Sequence, residues 1–486
     1  MSKKDGVIYT PPDVVGKMLD MAGYFPERMP GFLEMDFLDN SCGTGNILVV
    51  ALERACDAVD KITSTLGFSP DEKYNYFHYW LPKHFHGMEL NPSACEKCVE
   101  NLNKTISTYL CQPVEWEWDI RCCDSLSADD DRQYDFVVCN PPYIRVHDLD
   151  SDLSGYKFVE QGMKDMYLAF YELGIKQTKS DGVMCYITPS SWFTSTAGRK
   201  LREYLFDNRM IEEIYDYGHT QVFENATTYV EITVIKPINA RIGCDYVKYG
   251  SVERGDKSLM IPYPAINLDG KFYFTEPGNT ILLTEISLFH KGKIKVKNGF
   301  ATLADDVFIN DKAPLAGSVY HKLYPENFIP VIKSSTGKQA WCCYPYNKDG
   351  KLIDERFVDP VIINELARHR DRLEARATTE PWYAFGRTQA INDTYKDKWA
   401  IKSIVKTLDD INPIKAPAGT GVYGGLYILC DDESQLDCLK TEEFLNYVKS
   451  LKKYKSGGYY TFSSKDLENY LNYQNYGKKE RTVAKG

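Results

Sequence analysis

The chain of 486 residues is 43% hydrophobic and 26% charged, a composition of globular proteins, and its length calls for two or three domains. No apolar stretch approaches the roughly 20 residues that span a bilayer, and the opening MSKKDGVIYT lacks the apolar core of a secretion signal, so a cytoplasmic protein without a membrane partner is expected. Fourteen cysteines are too dilute for a disulfide scaffold, and Cys95 and Cys98 form a lone C-x-x-C without a second pair at zinc spacing, so no metal is expected. The net charge of −10 is uneven: residues 1–250 hold 24 Lys and Arg against 38 Asp and Glu, the remainder 34 against 30. An acidic body joined to a mildly basic partner suits catalysis in one part and polyanion contact in the other.

In chain order, MDFLDN (35–40), HFHGMEL (84–90), WDIRCCD (118–124), YDFVVCN (134–140), GVMCYIT (182–188), MIEEIYDY (210–217) and TYVEITVI (228–235) are predicted strands. Between them, NILVVALERACDAVDKI (46–62) and MYLAFYELGIKQ (166–177) carry apolar residues at helical spacing. Apolar strands alternating with helices imply an α/β, doubly wound, mostly parallel sheet, whose ligands gather at the carboxyl ends of the strands. Past residue 245 the texture turns irregular and rich in Gly, Pro, Tyr and Lys, which places a domain boundary there and leaves 246–486 as α+β.

Polar residues end four of the predicted strands. Asp39 opens the loop Asp39-Asn40-Ser41-Cys42-Gly43-Thr44-Gly45, where Gly43 and Gly45 let backbone approach a ligand beside a helix N-terminus. Glu89 follows, a carboxylate able to accept both hydroxyls of a ribose. The gap from Asp39 to Glu89 far exceeds the roughly 20 residues of a dinucleotide fingerprint, and no third glycine completes G-x-G-x-x-G, so NAD is disfavoured and an insertion carrying YNYFHYW (74–80) intervenes. Asp124 can accept from an adenine amine while Leu126 packs on the ring. Asn140-Pro141-Pro142-Tyr143 then puts an amide, a fixed turn and an aromatic ring at the fourth end; the prolines donate no N–H, so the Asn140 and Pro141 carbonyls can cradle an exocyclic amine while Tyr143 stacks on its ring. Taken alone, N-P-P-Y also reads as a Pro-rich turn after a core strand.

This ordered set resembles the γ-class amino-methyltransferases of the Eco57I-like and TaqI-like branch, which modify adenine N6 in DNA using S-adenosylmethionine. YTPPDVVGKMLDMA (9–22) looks like the segment that closes over the methionine end of that cofactor, with Thr10 in contact; Asn40-Ser41 stands where the family has Pro-Ala. KDMYLAFYELGIKQTKSDGVMCYITPSSWF (164–193) resembles the helix and strand after the catalytic tetrapeptide, and Gln221-Val222-Phe223 before TTYVEITVI the place where a second aromatic faces the base. The resemblance implies a seven-stranded Rossmann-like methyltransferase sheet in a catalytic domain at 1–245, a DNA-recognition domain at 246–486, double-stranded DNA as partner, and a cognate restriction endonuclease. It implies that Asn140, Pro141, Pro142, Tyr143 and Phe223 handle the adenine. Thr10, Asp39, Ser41, Gly43, Gly45, Glu89, Asp124, Ser125, Leu126 and Asn140 would hold the cofactor.

In the second half, Lys291, Lys293, Lys295 and Lys297 alternate along a strand-like run, and Lys449, Lys452, Lys453 and Lys455 precede Ser456-Gly457-Gly458-Tyr459-Tyr460. Lys293, Lys295, Lys452 and Lys453 are candidate phosphate contacts and Arg387, in FGRT, a candidate base contact; the alternative is a solvated charged edge. The same N-P-P-Y cradle serves methyltransferases of protein glutamine and of RNA guanine, and a catalytically silent DNA-binding subunit is the non-enzymatic alternative.

Overall fold

A computed structural model describes residues 9–128, 130–145, 153, 155–159, 165–223, 228–237, 245–255, 257–311 and 327–478. The chain divides into two compact units, Met1–Pro277 and Gly278–Gly486. In the first, β1 (Phe37–Asp39), β2 (Phe85–Glu89), β3 (Asp119–Cys122), β4 (Tyr134–Cys139), β5 (Thr178–Pro189), β6 (Ile211–Asp216), β7 (Val230–Ile235), β8 (Tyr246–Ser251) and β9 (Leu259–Pro262) form one sheet, ordered β3-β2-β1-β4-β5-β7-β6-β8-β9. All seven predicted runs are strands. The expectation of seven strands is corrected to nine, and the boundary expected near 245 moves to 277, because β8 pairs parallel with β6 and carries β9 antiparallel on its outer edge. The first five strands in spatial order run parallel, and β7 inserts antiparallel between β5 and β6.

Parallel strands need cover on both faces, and the alternation of side chains supplies two cores. Phe37 and Val138 point to one side, where they meet Val15 and Met18 of α1 (Pro12–Ala22), Leu48 and Leu52 of α2 (Asn46–Thr65), Phe77 of α3 (Pro70–Trp80) and Leu102 of α4 (Pro92–Leu110). Leu38 and Val137 point to the other, against Leu168 and Tyr171 of α5 (Tyr167–Gln177) and Leu201 of α6 (Arg199–Asp207). The insertion before Glu89 is α3. Ser69 and Glu72 cap its N-terminus reciprocally, Pro70 follows the cap, and Tyr74 accepts the Trp116 indole N–H at 2.9 Å.

At the amino end of the strands lies a charged cluster. His84 Nδ1 is 2.7 Å from Asp36 Oδ1, His86 Nδ1 is 2.7 Å from Asp119 Oδ2, and Arg132 donates to the same Asp119 oxygen at 2.8 Å. Burial alone would raise Asp36 and Asp119. Hydrogen bonds from His84 and His86 outweigh it at Asp36, and those from His86 and Arg132 at Asp119, so both carboxyls stand below their ordinary value of 3.8. A depressed carboxyl stabilises the fold above its unfolded pKa, and that stability is lost as pH falls through the folded value. We therefore expect Asp36→Asn to lower the urea midpoint at pH 7 and to flatten its fall between pH 5 and pH 3, measured by tryptophan fluorescence.

The short hairpin β10 (Asn267–Leu268) and β11 (Lys271–Phe272) completes the strands of the first unit. The second unit is α+β. β12 (Lys295–Asn298), β20 (Leu426–Leu429), β16 (Lys398–Ile401) and β18 (Ile414–Ala416) make one sheet; β13 (Ile309–Asn310), β15 (Gln339–Cys343), β14 (Phe328–Lys333) and β19 (Gly421–Tyr423) a second; β17 (Ile404–Val405), β22 (Tyr459–Thr461) and β21 (Tyr454–Lys455) a third. Phe300 stacks on Phe385 with centroids 4.5 Å apart at the centre of its core. Among the described residues no helix is long and apolar enough to cross a membrane.

Candidate active site

Strands β3, β2, β1 and β4 are spatial neighbours, so Asp39 at the end of β1, Glu89 at the end of β2, Asp124 just past β3 and Asn140 just past β4 lie along one edge of the sheet. The register confirms it: Asp39 pairs with Gly87, and Glu89 with Cys122. The β1 loop turns through Gly43 (φ +52°) and Gly45 (φ +86°), and the Gly45 N–H closes it on the Cys42 carbonyl at 2.8 Å. Glu89 ties this loop to β2: one carboxylate oxygen accepts the Gly43 N–H at 3.0 Å and the other the Asn91 N–H at 2.8 Å. A Cβ on Gly45 would stand 2.6 Å from Cys98 Sγ, whereas one on Gly43 meets no protein atom within 4 Å. Gly45→Ala therefore combines a clash with left-handed backbone, and should cost about 1–3 kcal/mol in urea unfolding.

Asp39 is fully buried. Burial raises its carboxyl to about 7, the neighbouring Glu89 adds to the rise, and the Ser41 N–H (3.1 Å) and the Cys139 thiol act the other way. Asp124 folds back on its own turn, accepting from the Leu126 N–H at 3.0 Å and the Ser127 hydroxyl at 2.8 Å. Ser125 is buried and donates to the Asn40 carbonyl at 2.7 Å, so its hydroxyl is committed to the protein. Half-buried Leu126 gives its carbonyl to Tyr156 at 2.6 Å.

Sequence reasoning missed the role of Asn40. Its buried amide donates to Gln177 Oε1 at 2.9 Å and to the Tyr186 hydroxyl at 2.7 Å, joining the loop to α5 and β5. The departure from Pro-Ala is thus matched by partners 137 and 146 residues away, which no local pattern announces.

At the end of β4, the Asn140 amide nitrogen donates to Thr10 Oγ1 at 3.0 Å, so the segment before α1 meets the tetrapeptide directly. Pro141 is buried and Pro142 half-buried. Tyr143 donates to the Ile187 carbonyl at 2.9 Å, which fixes its ring. The structure does bring Phe223 to it, with centroids 6.2 Å apart, but the planes are tilted by 60°. Two parallel rings flanking a flat base stand about 7 Å apart at van der Waals contact, so seating one requires Phe223 to turn. Burial and the adjacent Asp39 carboxyl push the thiol of buried Cys139 well up, which disfavours its thiolate.

In the second unit, only Lys295–Asn298 of the alternating lysine run is a strand, which corrects the expectation of four amines on one strand face. Lys293 is exposed and makes no ion pair among the described residues. Lys295 is 3.7 Å from Glu468, and Lys297 is 2.6 Å from Asp393. Lys453 pairs with buried Asp466, Lys452 is half-buried in a left-handed turn (φ +54°), and Arg387 is exposed on a segment bridged to Ala301.

Residues 61–223 match the family described as Eco57I restriction-modification methylase. The chain is 26% identical over 400 residues to the type II methyltransferase M.BstVI of Geobacillus stearothermophilus, covering 72% of this chain and 68% of that protein. It is 25% identical over 355 residues to the type II restriction enzyme and methyltransferase RM.Eco57I of Escherichia coli, covering 60% and 35%, and so spans about a third of that relative. The solved structure of the type IIL restriction-modification enzyme MmeI in complex with DNA superposes with a TM-score of 0.63 at 14% identity, covering 93% of this chain and 63% of that one, a likeness of fold.

Proposed function

We propose that this chain, whose residues 61–223 match the Eco57I restriction-modification methylase family, is a site-specific DNA methyltransferase that moves a methyl group from S-adenosylmethionine to the N6 amine of an adenine swung out of duplex DNA. The observation that carries this reading is the placement of Asn140 to Tyr143 at the end of β4, beside the glycine loop of β1 and against Phe223. The donor set fits the cofactor: Glu89 keeps lone pairs for a ribose diol beyond the two backbone N–H groups it accepts, Asp124 and Leu126 offer an acceptor and an apolar surface for a purine, and Thr10, Asp39 and the loop through Gly43 and Gly45 would hold the methionine end. S-adenosylmethionine supplies an electrophilic methyl group when bound.

What the protein does follows from its own groups. Rotating a base out of a duplex costs a few kcal/mol, which stacking on Tyr143 and Phe223 offsets. The amine is a poor nucleophile because its lone pair is delocalised into the ring; hydrogen bonds from it to the Asn140 side-chain oxygen and the Pro141 carbonyl favour a pyramidal nitrogen. Asn140 is aimed by Thr10, so positioning and preorganised dipoles rather than a dedicated base lower the barrier. In the same reading, Lys293, Lys295, Lys452, Lys453 and Arg387 contact DNA from the second unit, and a cognate endonuclease would cut the same sequence when unmethylated.

Single-molecule sequencing of DNA from cells expressing the chain tests the reading. N6-methyladenine at one short motif is expected; unmodified DNA, together with methyl label recovered in RNA or protein, would overturn it. Once the motif is known, 2-aminopurine at the target adenine should brighten on binding wild type. We expect Phe223→Ala to weaken that enhancement severalfold, and an unchanged signal would remove Phe223 from the base pocket.

A further inference from the structure

Apart from Asp39, one buried carboxyl near the tetrapeptide has no part in the chemistry above. Glu231 lies in β7 with no exposed surface, in the middle of an apolar run. Donors from separate elements converge on it: Thr188 Oγ1 of β5 and Trp192 Nε1 of the following turn at 2.8 Å each, Tyr171 of α5 at 3.4 Å, and Thr233 of β7 itself. Such a knot ties the end of β5 to β7, to α5 and to the following turn by side-chain hydrogen bonds beyond those of the ladder.

That strand end is where Tyr143 is seated. Thr188, which pairs in register with Glu231, directly follows Ile187, whose carbonyl accepts the Tyr143 hydroxyl. A second route runs through rings: Tyr171 contacts Tyr167 with centroids 6.5 Å apart, and Tyr167 contacts Tyr143 at 6.3 Å. We propose that Glu231 is a positioning residue that sets the ring of Tyr143, and thereby the seat of the swung-out base, without touching any substrate. The proposal rests on the methyltransferase reading for its consequence in catalysis but not for its consequence in structure.

Burial raises the Glu231 carboxyl to about 7, against the hydrogen bonds from Thr233, Trp192 and Thr188, and Asp216 of β6 adds to the rise. The other titratable groups facing it are Tyr171 and Tyr167 of α5, Tyr143 itself and Cys185 of β5, all held neutral by burial. A carboxyl raised in the fold is favoured in its neutral form, so the knot is firmest below 7 and loosens as pH rises through 7 and the buried acceptor takes on charge.

Glu231→Gln keeps the volume and an acceptor for Trp192 while removing the charge. Hydrogen–deuterium exchange of the full chain at pH 6 and pH 8, corrected for intrinsic rates, should show residues 140–145 of wild type becoming severalfold less protected at the higher pH, and the variant showing no such loss. Protection of 140–145 that is the same in both proteins, with changes confined to 186–193 and 230–235, would overturn the proposal and leave Glu231 a local structural residue. With tritiated S-adenosylmethionine and unmethylated genomic DNA, kcat of wild type should fall severalfold over the same interval and that of Glu231→Gln should stay flat, with the KM for the cofactor equal in both. An exchange signature without any transfer by wild type would sink the functional reading alone; transfer with parallel pH profiles would sink the role of Glu231.

Discussion

Asn140→Ala should bind S-adenosylmethionine with unchanged heat and transfer almost nothing. The alanine removes the amide that Thr10 aims and leaves the Pro141 carbonyl as the remaining acceptor for the amine. Removing one preorganised group that meets developing charge costs about 10²–10³ in kcat. Cofactor affinity should hold because the loop, Glu89 and Asp124 are untouched. Calorimetry and label transfer, run on the same preparation, separate the two effects. Thr10→Val makes a graded control: it keeps the Asn140 side chain but frees it to rotate, and should cost less than the alanine, by about tenfold. Full activity in Asn140→Ala would remove the cradle mechanism altogether.

The polar strand ends were legible because each sits where an apolar run stops, and a parallel sheet turns such stops into one edge. Asp39, Glu89, Asp124 and Asn140 needed only the order of strands to become neighbours. The two added strands were not legible. Tyr246–Ser251 carries exposed Tyr246 and Lys248 between inward-facing residues, a pattern that reads as the start of a new domain as readily as the edge of an old one. Long-range satisfaction was invisible for a related reason. Asn40 and Glu231 are polar residues in otherwise buried segments, and what makes each tolerable lies across the sheet, in Gln177 and Tyr186 for one and in Thr188 and Trp192 for the other. A buried polar residue announces that partners exist, not which they are. The tilt between Tyr143 and Phe223 likewise depends on where the Tyr143 hydroxyl is fastened, a fact of the folded chain.

Glu89→Ala should weaken S-adenosylmethionine binding by about 10²–10³, the worth of two hydrogen bonds to a charged acceptor. The carboxylate has two duties, and the alanine ends both. It accepts the Gly43 and Asn91 N–H groups, which shape the loop and the start of α4, and in the proposed reading its remaining lone pairs would take the ribose hydroxyls. The loss should fall on cofactor binding more than on stability, because Glu89 is half-buried and water can reach the backbone groups it abandons. The kinetic signature is then a raised KM for the cofactor with kcat largely recovered at saturation, opposite to that of Asn140→Ala. Glu89→Gln keeps an acceptor for one of the N–H groups and should lose about tenfold. A second consequence reaches Asp39, whose carboxyl is raised to about 7 chiefly by burial and partly by the Glu89 charge. Without that charge Asp39 should ionise at lower pH, so any dependence of cofactor binding on pH near 7 should shift toward acid in Glu89→Ala. Calorimetric titrations at pH 6, 7 and 8 would show it, and wild-type affinity in Glu89→Ala would mean that the cofactor is held elsewhere than along this sheet edge.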